Sequence, residues 1–126
     1  MFINFTNHPS NNWGVIQIKE SLKYGKIIDL PFPEVSVDAD EKDINNLAEI
    51  YVKKIMEYKP KAVLVQGEMS LTFSIVARLL ELNVLVLCAC SSRCTTEYQN
   101  IDGTNHKLSE FRFEKYRAYS LKGDKK

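Results

Sequence analysis

The chain has 126 residues, a formal net charge of +1 at pH 7, 44% hydrophobic residues and 26% charged residues. This composition is typical of a soluble globular protein of one domain and excludes disorder over the main body of the chain. The near-neutral charge argues against a protein that binds long nucleic acid, because such proteins neutralise many phosphates with a strongly basic surface.

The first half of the chain alternates between strand and helix patterns. Residues 2–5 form a short apolar run that predicts a strand, and the apolar residues between 15 and 22 then recur at helical spacing before Gly25. Residues 27–30 predict a second strand, which the prolines of LPFPEV end because proline cannot donate to a ladder. Asp40 or a neighbour can cap the long amphipathic helix that follows.

The middle of the chain predicts two more strands around a largely buried helix. Residues 62–65 and 84–90 are apolar on both faces, and residues 71–82 are apolar nearly all round. Strands of this kind separated by helices indicate a mostly parallel sheet flanked by helices, an α/β fold of the Rossmann-like type. The longest apolar run is far shorter than the roughly 20 residues of a membrane helix, so we expect a cytoplasmic protein without a membrane partner.

The last third changes character. The segment EYQNIDGTNHKLSEFRFEKYRAYS predicts a C-terminal β-hairpin around Asp102 and Gly103, with a long second strand whose Phe111 and Phe113 lie in the core. We expect residues 1–120 to form a single domain and residues 121–126 to form a flexible tail.

Three cysteines, Cys88, Cys90 and Cys94, lie close together in the sequence. Their odd number fits reduced thiols better than a disulfide framework. No histidine lies nearby in the sequence, so we interpret them as small buried side chains rather than metal ligands, and we expect no metal or cofactor.

Three polar loops follow predicted strands and should meet at one edge of the sheet. They are TNHPSNN, QGEMSLT and CSSRCT. In an open parallel sheet, ligands bind beyond the carboxyl ends of the strands, where helix N-termini offer free backbone N–H groups. The three loops are therefore candidate parts of one nucleotide site.

The first loop offers four candidate ligand contacts. Asn7, His8 and Ser10 could hold a phosphate or a ribose; alternatively, Asn7 forms an Asx turn, Ser10 caps the helix and His8 is simply exposed. Trp13 could stack on a base or could fix the helix to the sheet.

The second loop combines a flexible backbone with hydroxyls and a carboxylate. Gly67 permits a tight turn and close backbone approach, and Ser70 and Thr72 place hydroxyls near the first helical turn. Glu68 either caps the helix or faces a ribose hydroxyl as base or nucleophile, because a carboxylate would repel a phosphate.

The third loop carries a cation. Arg93, flanked by Ser91 and Ser92, suits a phosphate or a developing oxyanion, or else forms a surface ion pair. Arg112 and Arg117 are weaker candidates on the wet face of the hairpin. The chain contains no dinucleotide fingerprint, Walker motif or nucleophile elbow, which argues against an oxidoreductase, a P-loop ATPase and a hydrolase triad.

The stretches INFTNHPSNNW, IIDLPFPEV, VQGEMSLTFSIVARLL, SSR and DGTNHKLSEFRFEKYRAY resemble the small Rossmann-like proteins encoded with type III CRISPR systems. The resemblance implies a dimeric nucleotide-sensing fold related to CARF domains that recognises cyclic oligoadenylate, such as cyclic tetra-adenylate. Some relatives are ring nucleases that cut this messenger and switch the response off.

A ring nuclease can use the ribose 2′-OH beside each phosphodiester as its nucleophile, leaving a 2′,3′-cyclic phosphate without a metal ion. On this hypothesis, Arg93, Ser70 and Thr72 stabilise the phosphate, and His8 or Glu68 is the base. One alternative is a nucleoside deoxyribosyltransferase-like enzyme with Glu68 as nucleophile. Another is a nucleotide sensor without catalytic activity.

Overall fold

The structure is a computed structural model that describes residues 1–121, so most of the predicted tail, residues 122–126, lies outside the described residues. Strands and helices alternate until the last two strands, which confirms the α/β class. The elements are β1 (Phe2–Phe5), a 3-10 helix (Ser10–Asn12), α1 (Val15–Leu22), β2 (Ile27–Asp29), α2 (Glu41–Glu57), β3 (Ala62–Val65), α3 (Met69–Glu81), β4 (Val86–Gln99) and β5 (Asn105–Ala118).

The five strands form one sheet in the order β2-β1-β3-β4-β5. The first four strands run parallel, and β5 pairs antiparallel with β4. From β1 the chain moves to one side of the sheet, to β2, whereas from β3 it moves to the other side, to β4. The two connections therefore diverge between β1 and β3.

Helices cover both faces of the sheet. On one face α2 and α3 pack over a core that includes Ile3, Phe5, Val63 and Val65. On the other face Phe2, Leu64 and Leu87 pack with Trp13 and Tyr116. Tyr116 also joins β5 to α1, because its hydroxyl lies 2.7 Å from the Ser21 Oγ. Alternate residues of the buried strands thus supply two cores, as a three-layer arrangement requires.

The cap of α2 confirms the prediction at Asp40. The Asp40 Oδ1 accepts from the Asp43 backbone N–H at 2.9 Å, and the Asp43 carboxylate accepts from the Asp40 N–H at 3.1 Å. This reciprocal capping box satisfies two of the backbone donors that every helix start leaves free.

The prediction that a loop follows residue 90 is wrong. β4 continues through Ser91, Ser92 and Arg93 to Gln99, because β5 pairs with it along its whole length. The hairpin itself is confirmed, with Gly103 at a φ of 88° in its turn. In the outer part of this two-stranded ribbon, every residue from 95 to 110 is exposed.

The burial of Phe111 is also predicted wrongly. Its side chain is 76% exposed, whereas Phe113 is half-buried against Tyr116, with ring centroids 4.9 Å apart. The register shifts next to Phe113, because Ser91 pairs with Phe113 and Cys90 with Lys115, which leaves Glu114 without a partner in β4. Such a bulge adds a residue to one strand and bends the ribbon.

Gly67 is required by packing. A Cβ at this position would lie 2.5 Å from atoms of the Phe32 ring, which is buried against Phe5. We expect Gly67→Ala to lower the free energy of unfolding by about 1–3 kcal/mol, the usual cost of overpacking. Urea denaturation measures this loss in the free energy of unfolding. The matched control is Gly14→Ala, where a Cβ meets no atom within 4 Å; equal losses in the two variants would contradict the argument.

The three cysteines are free thiols, as predicted, and all three are partly buried. Within residues 1–121, no helix is both long enough and apolar enough to span a bilayer.

Candidate functional site

A cleft of about 700 Å³ opens at the carboxyl ends of β1 and β3. Thr6, Leu64 and Gln66 contribute to its floor. One wall is the loop after β1 together with the start of α1, and the other wall is the β4–β5 ribbon. The cleft lies where the connections of β1 and β3 diverge, which is the usual place for a ligand in an open α/β sheet.

A network of buried polar groups holds the loop after β1. Asn4, only 1% exposed, donates from its Nδ2 to the His8 carbonyl and to the Asp29 Oδ1, both at 2.9 Å. Its Oδ1 accepts from the Thr6 hydroxyl at 2.8 Å, and that hydroxyl in turn accepts from the His8 N–H at 3.0 Å. Asp29 also accepts from the Ser10 hydroxyl at 3.0 Å. The polar residues of the loop therefore set its shape.

The network changes the interpretation of the first loop. Ser10 does not cap α1; it begins the 3-10 helix and bonds to Asp29, and the N-cap of α1 is Gly14. The first turn of α1 carries no acidic side chain, and it borders the cleft. Its backbone N–H groups thus favour an anion there. His8 and Trp13 line the cleft, whereas Asn7 is exposed outside its lining.

The structure shows Glu68 as a helix cap. Its Oε1 accepts from the Leu71 backbone N–H at 2.8 Å and from the Ser70 hydroxyl at 2.6 Å. The Ser70 hydroxyl, followed by the backbone N–H groups of Leu71 and Ser70, holds the pKa of the Glu68 carboxyl below its ordinary value. A carboxylate stabilised in this way is a weak base, and the Ser70 hydroxyl is already used.

The remaining residues of the second loop border grooves on the α2 and α3 side. Gly67 and Thr72 line a groove of about 520 Å³ with Cys88, and Ser70 lines another of about 440 Å³ between α2 and α3. The Thr72 Oγ1 is buried and has no hydrogen-bond partner among residues 1–121. Of this segment only Gln66 reaches the cleft.

The cap at Glu68 should make the stability of the fold depend on pH. Because the pKa is lower in the folded protein, the cap stabilises the fold above the ordinary pKa of 4.5 and loses this effect as pH falls through the folded pKa. We expect Glu68→Ala to lower the Tm at pH 7 and to lose this difference from wild type in acid. Thermal unfolding at pH 7 and in acid measures this difference in Tm, with Glu34→Ala on the exposed loop as control. A difference that persists unchanged in acid would show that the charged carboxylate is not the cap.

The β4–β5 ribbon places one of the three residues predicted in the third loop at the cleft. Ser91 lines the cleft, whereas Ser92 donates its hydroxyl to the Glu114 Oε2 at 2.6 Å. Arg93 is exposed and lies opposite Phe111, which lines the cleft, so the two side chains share the cleft-facing side of the ribbon. Arg112 lines the cleft as well.

Of the predicted residues, the structure brings His8, Trp13 and Ser91 together at the cleft. The others lie outside its lining: Asn7, Ser10, Gly67, Glu68, Ser70, Thr72, Ser92 and Arg93. Sequence reasoning missed five residues that shape the site, namely Asn4, Thr6, Asp29, Gln66 and Phe111, and it named Arg112 only as a weaker candidate. A signal existed for two of them, since Asn4 is the one amide in an otherwise apolar strand and Asp29 ends the next strand.

Comparison with known proteins gives one match. No curated protein and no solved structure matches the chain. The model of the Uncharacterized protein MJ1673 family matches residues 1–117, which is nearly the whole chain. The chain therefore belongs to the Uncharacterized protein MJ1673 family.

Proposed function

We propose that the chain is a Rossmann-like, CARF-related protein of type III CRISPR systems that binds a cyclic oligoadenylate, such as cyclic tetra-adenylate, and opens its ring. The cleft at the carboxyl ends of β1 and β3 is the observation that carries this proposal. The order of the parallel strands, β2-β1-β3-β4, supports it, because doubly wound sheets of this order bind nucleotides where their connections diverge.

The chemistry of the cleft suits a nucleotide. Its lining includes a cation, Arg112, the first turn of α1, the Ser91 hydroxyl and the Trp13 ring. The cation and the backbone N–H groups would hold a phosphate, and an indole ring can support a base. The volume of about 700 Å³ fits one or two nucleotides rather than a whole ring, so part of a cyclic ligand would extend beyond the cleft.

In the proposed reaction, the ribose 2′-OH attacks the adjacent phosphorus, the 5′-oxygen leaves and takes a proton from water, and the products are a 2′,3′-cyclic phosphate and a 5′-hydroxyl. His8 accepts the proton of the attacking hydroxyl. Arg112 and the N–H groups of α1 stabilise the added negative charge on the phosphorane. Holding the hydroxyl in line with the leaving oxygen supplies much of the acceleration, and the mechanism needs no metal ion.

Two further proposals concern the oligomeric state and the location of the protein. A cyclic oligoadenylate has repeated symmetry, so two copies of the chain could each supply one cleft around a twofold axis. We also propose that this homodimer acts in the cytoplasm.

A second candidate function is a sensor that binds the messenger without cutting it. The observation in its favour is that His8 alone, among the predicted catalytic residues His8, Glu68 and Arg93, lines the cleft. The transferase alternative is weaker, because Glu68 would have to leave both hydrogen bonds of its cap to attack a sugar.

One experiment separates these functions. Purified protein is incubated with cyclic tetra-adenylate, with and without EDTA, and the products are separated by chromatography while binding is measured in parallel. Linear products ending in a 2′,3′-cyclic phosphate in both conditions support the ring nuclease. Binding without products supports the sensor. Neither binding nor products would overturn both proposals, and release of bases from deoxynucleosides would support the transferase.

A further inference from the structure

The wall of the cleft carries an aromatic ring that the proposed chemistry leaves unused. Phe111 is 76% exposed, yet it lines the cleft beside Phe113. The Phe113 ring is engaged with Tyr116, whereas Phe111 has no aromatic partner among residues 1–121. A large apolar side chain left in water at a cleft gains free energy when a ligand covers it. Phe111 therefore offers a flat, apolar surface at the cleft.

The charged neighbours of Phe111 narrow the class of ligand. Arg93 lies directly opposite Phe111 in the register of the ribbon, and Arg112 follows it in the cleft wall. Among residues 1–121, the Arg93 guanidinium has one weak partner, the Ser109 Oγ at 3.4 Å. Because side chains alternate along a strand, Arg93 shares one side of the ribbon with Phe111, whereas Glu110 and Arg112 lie on the other side. An aromatic ring beside a guanidinium group matches the base and phosphate of a nucleotide.

The opposite wall carries a second ring in a fixed position. Trp13 packs edge-on against the buried Phe2 ring, with centroids 6.3 Å apart and an angle of 85° between the planes. This contact ties the indole to the core, so Trp13 is a rigid part of the cleft, whereas Phe111 stands on the ribbon. The two aromatic residues thus border the cleft from separate elements.

We propose that Phe111 is the residue on which an adenine base of the ligand stacks, with Arg93, on the same side of the ribbon, binding the adjoining phosphate. The inference rests on the proposed nucleotide-binding function, and it adds a recognition residue that reads the base. Stacking on one aromatic ring contributes a substantial part of the affinity for a base and tolerates different bases, so it favours large purines without excluding others.

The test compares ligands with and without a base. Trp13 is the one tryptophan of the chain, so its fluorescence reports binding at the cleft. Wild type, Phe111→Ala and Phe111→Tyr are titrated with cyclic tetra-adenylate, AMP and ribose 5-phosphate. We expect Phe111→Ala to weaken binding of both adenylates by about 5- to 100-fold. Its affinity for ribose 5-phosphate should stay within about twofold of wild type, and Phe111→Tyr should bind like wild type.

Phe73→Ala is the matched control, since Phe73 is 75% exposed but lies on α3 in the groove on the other side of the sheet. It should leave all three affinities unchanged. If Phe111→Ala binds the adenylates as tightly as wild type, the inference is wrong and the proposed function stands. If wild type binds neither adenylate, the proposed function fails and this inference fails with it.

Discussion

Replacing Asn4 with leucine is expected to lower the free energy of unfolding by about 2–4 kcal/mol. Leucine has the same number and branching of side-chain heavy atoms as asparagine, but it is larger and cannot form hydrogen bonds. The Thr6 hydroxyl would lose its acceptor, and the His8 carbonyl and the Asp29 Oδ1 would each lose a short bond of 2.9 Å. The Thr6 hydroxyl is buried, and a buried polar group without a partner typically costs about 1–3 kcal/mol, whereas water can reach the exposed His8 and Asp29. The larger leucine adds an overpacking cost of about 1–3 kcal/mol.

Urea unfolding of wild type and variant measures the loss. The control is Asn46→Leu, because Asn46 is exposed on α2 and its replacement should change stability by about 0.5 kcal/mol or less. A second expected effect is local: amide hydrogen exchange should rise in residues 6–13 more than in α2. An Asn4→Leu protein as stable as wild type would mean that water or a rearranged loop satisfies the network, and that Asn4 does not hold the site.

The fold was largely readable from the sequence because its signals are local. The periodicity of β1, α2 and β3 lies within each element, and Asp40 and Asp43 form their capping box three residues apart. The turn at Gly103 needs a positive φ, which glycine adopts without strain. Each of these features depends on neighbours in the chain, so a single sequence is enough to predict it.

The candidate site was predicted less well because its geometry depends on distant pairing. Nothing in the polar segment around Arg93 indicates a strand; it becomes one because residues 105–113 pair with it. The same pairing moves Phe111 from an expected core position to the wall of the cleft. Asn4 and Asp29 are 25 residues apart, and only the parallel pairing of β1 with β2 brings them into contact.

Glu68 illustrates a different limit. A glutamate before a helix is compatible with both a cap and a catalytic group, and the residue types alone do not separate the two. The hydrogen bonds from the Leu71 N–H and the Ser70 hydroxyl favour the cap. What decides between such alternatives is where the carboxylate oxygens lie, and that depends on the backbone around them.

Removing the imidazole of His8 is expected to slow the cleavage of cyclic tetra-adenylate by about 10²–10⁴-fold, the usual contribution of a positioned base. The affinity should change far less, because the cation and the backbone donors of the cleft remain. The substitution His8→Ala suits this test, since His8 holds the loop through its main chain: its carbonyl accepts from Asn4 and its N–H donates to Thr6. The shape of the loop should therefore survive.

His106 provides the matched control, as it is the other of the two histidines in the chain. It stacks on Tyr98 near the hairpin turn, with ring centroids 5.3 Å apart, in a part of the ribbon outside the lining of the cleft. His106→Ala should cut at the wild-type rate. If His8→Ala cuts as fast as wild type, His8 is not the base. The acceleration would then come from another base or from the position and charge of the bound ligand alone.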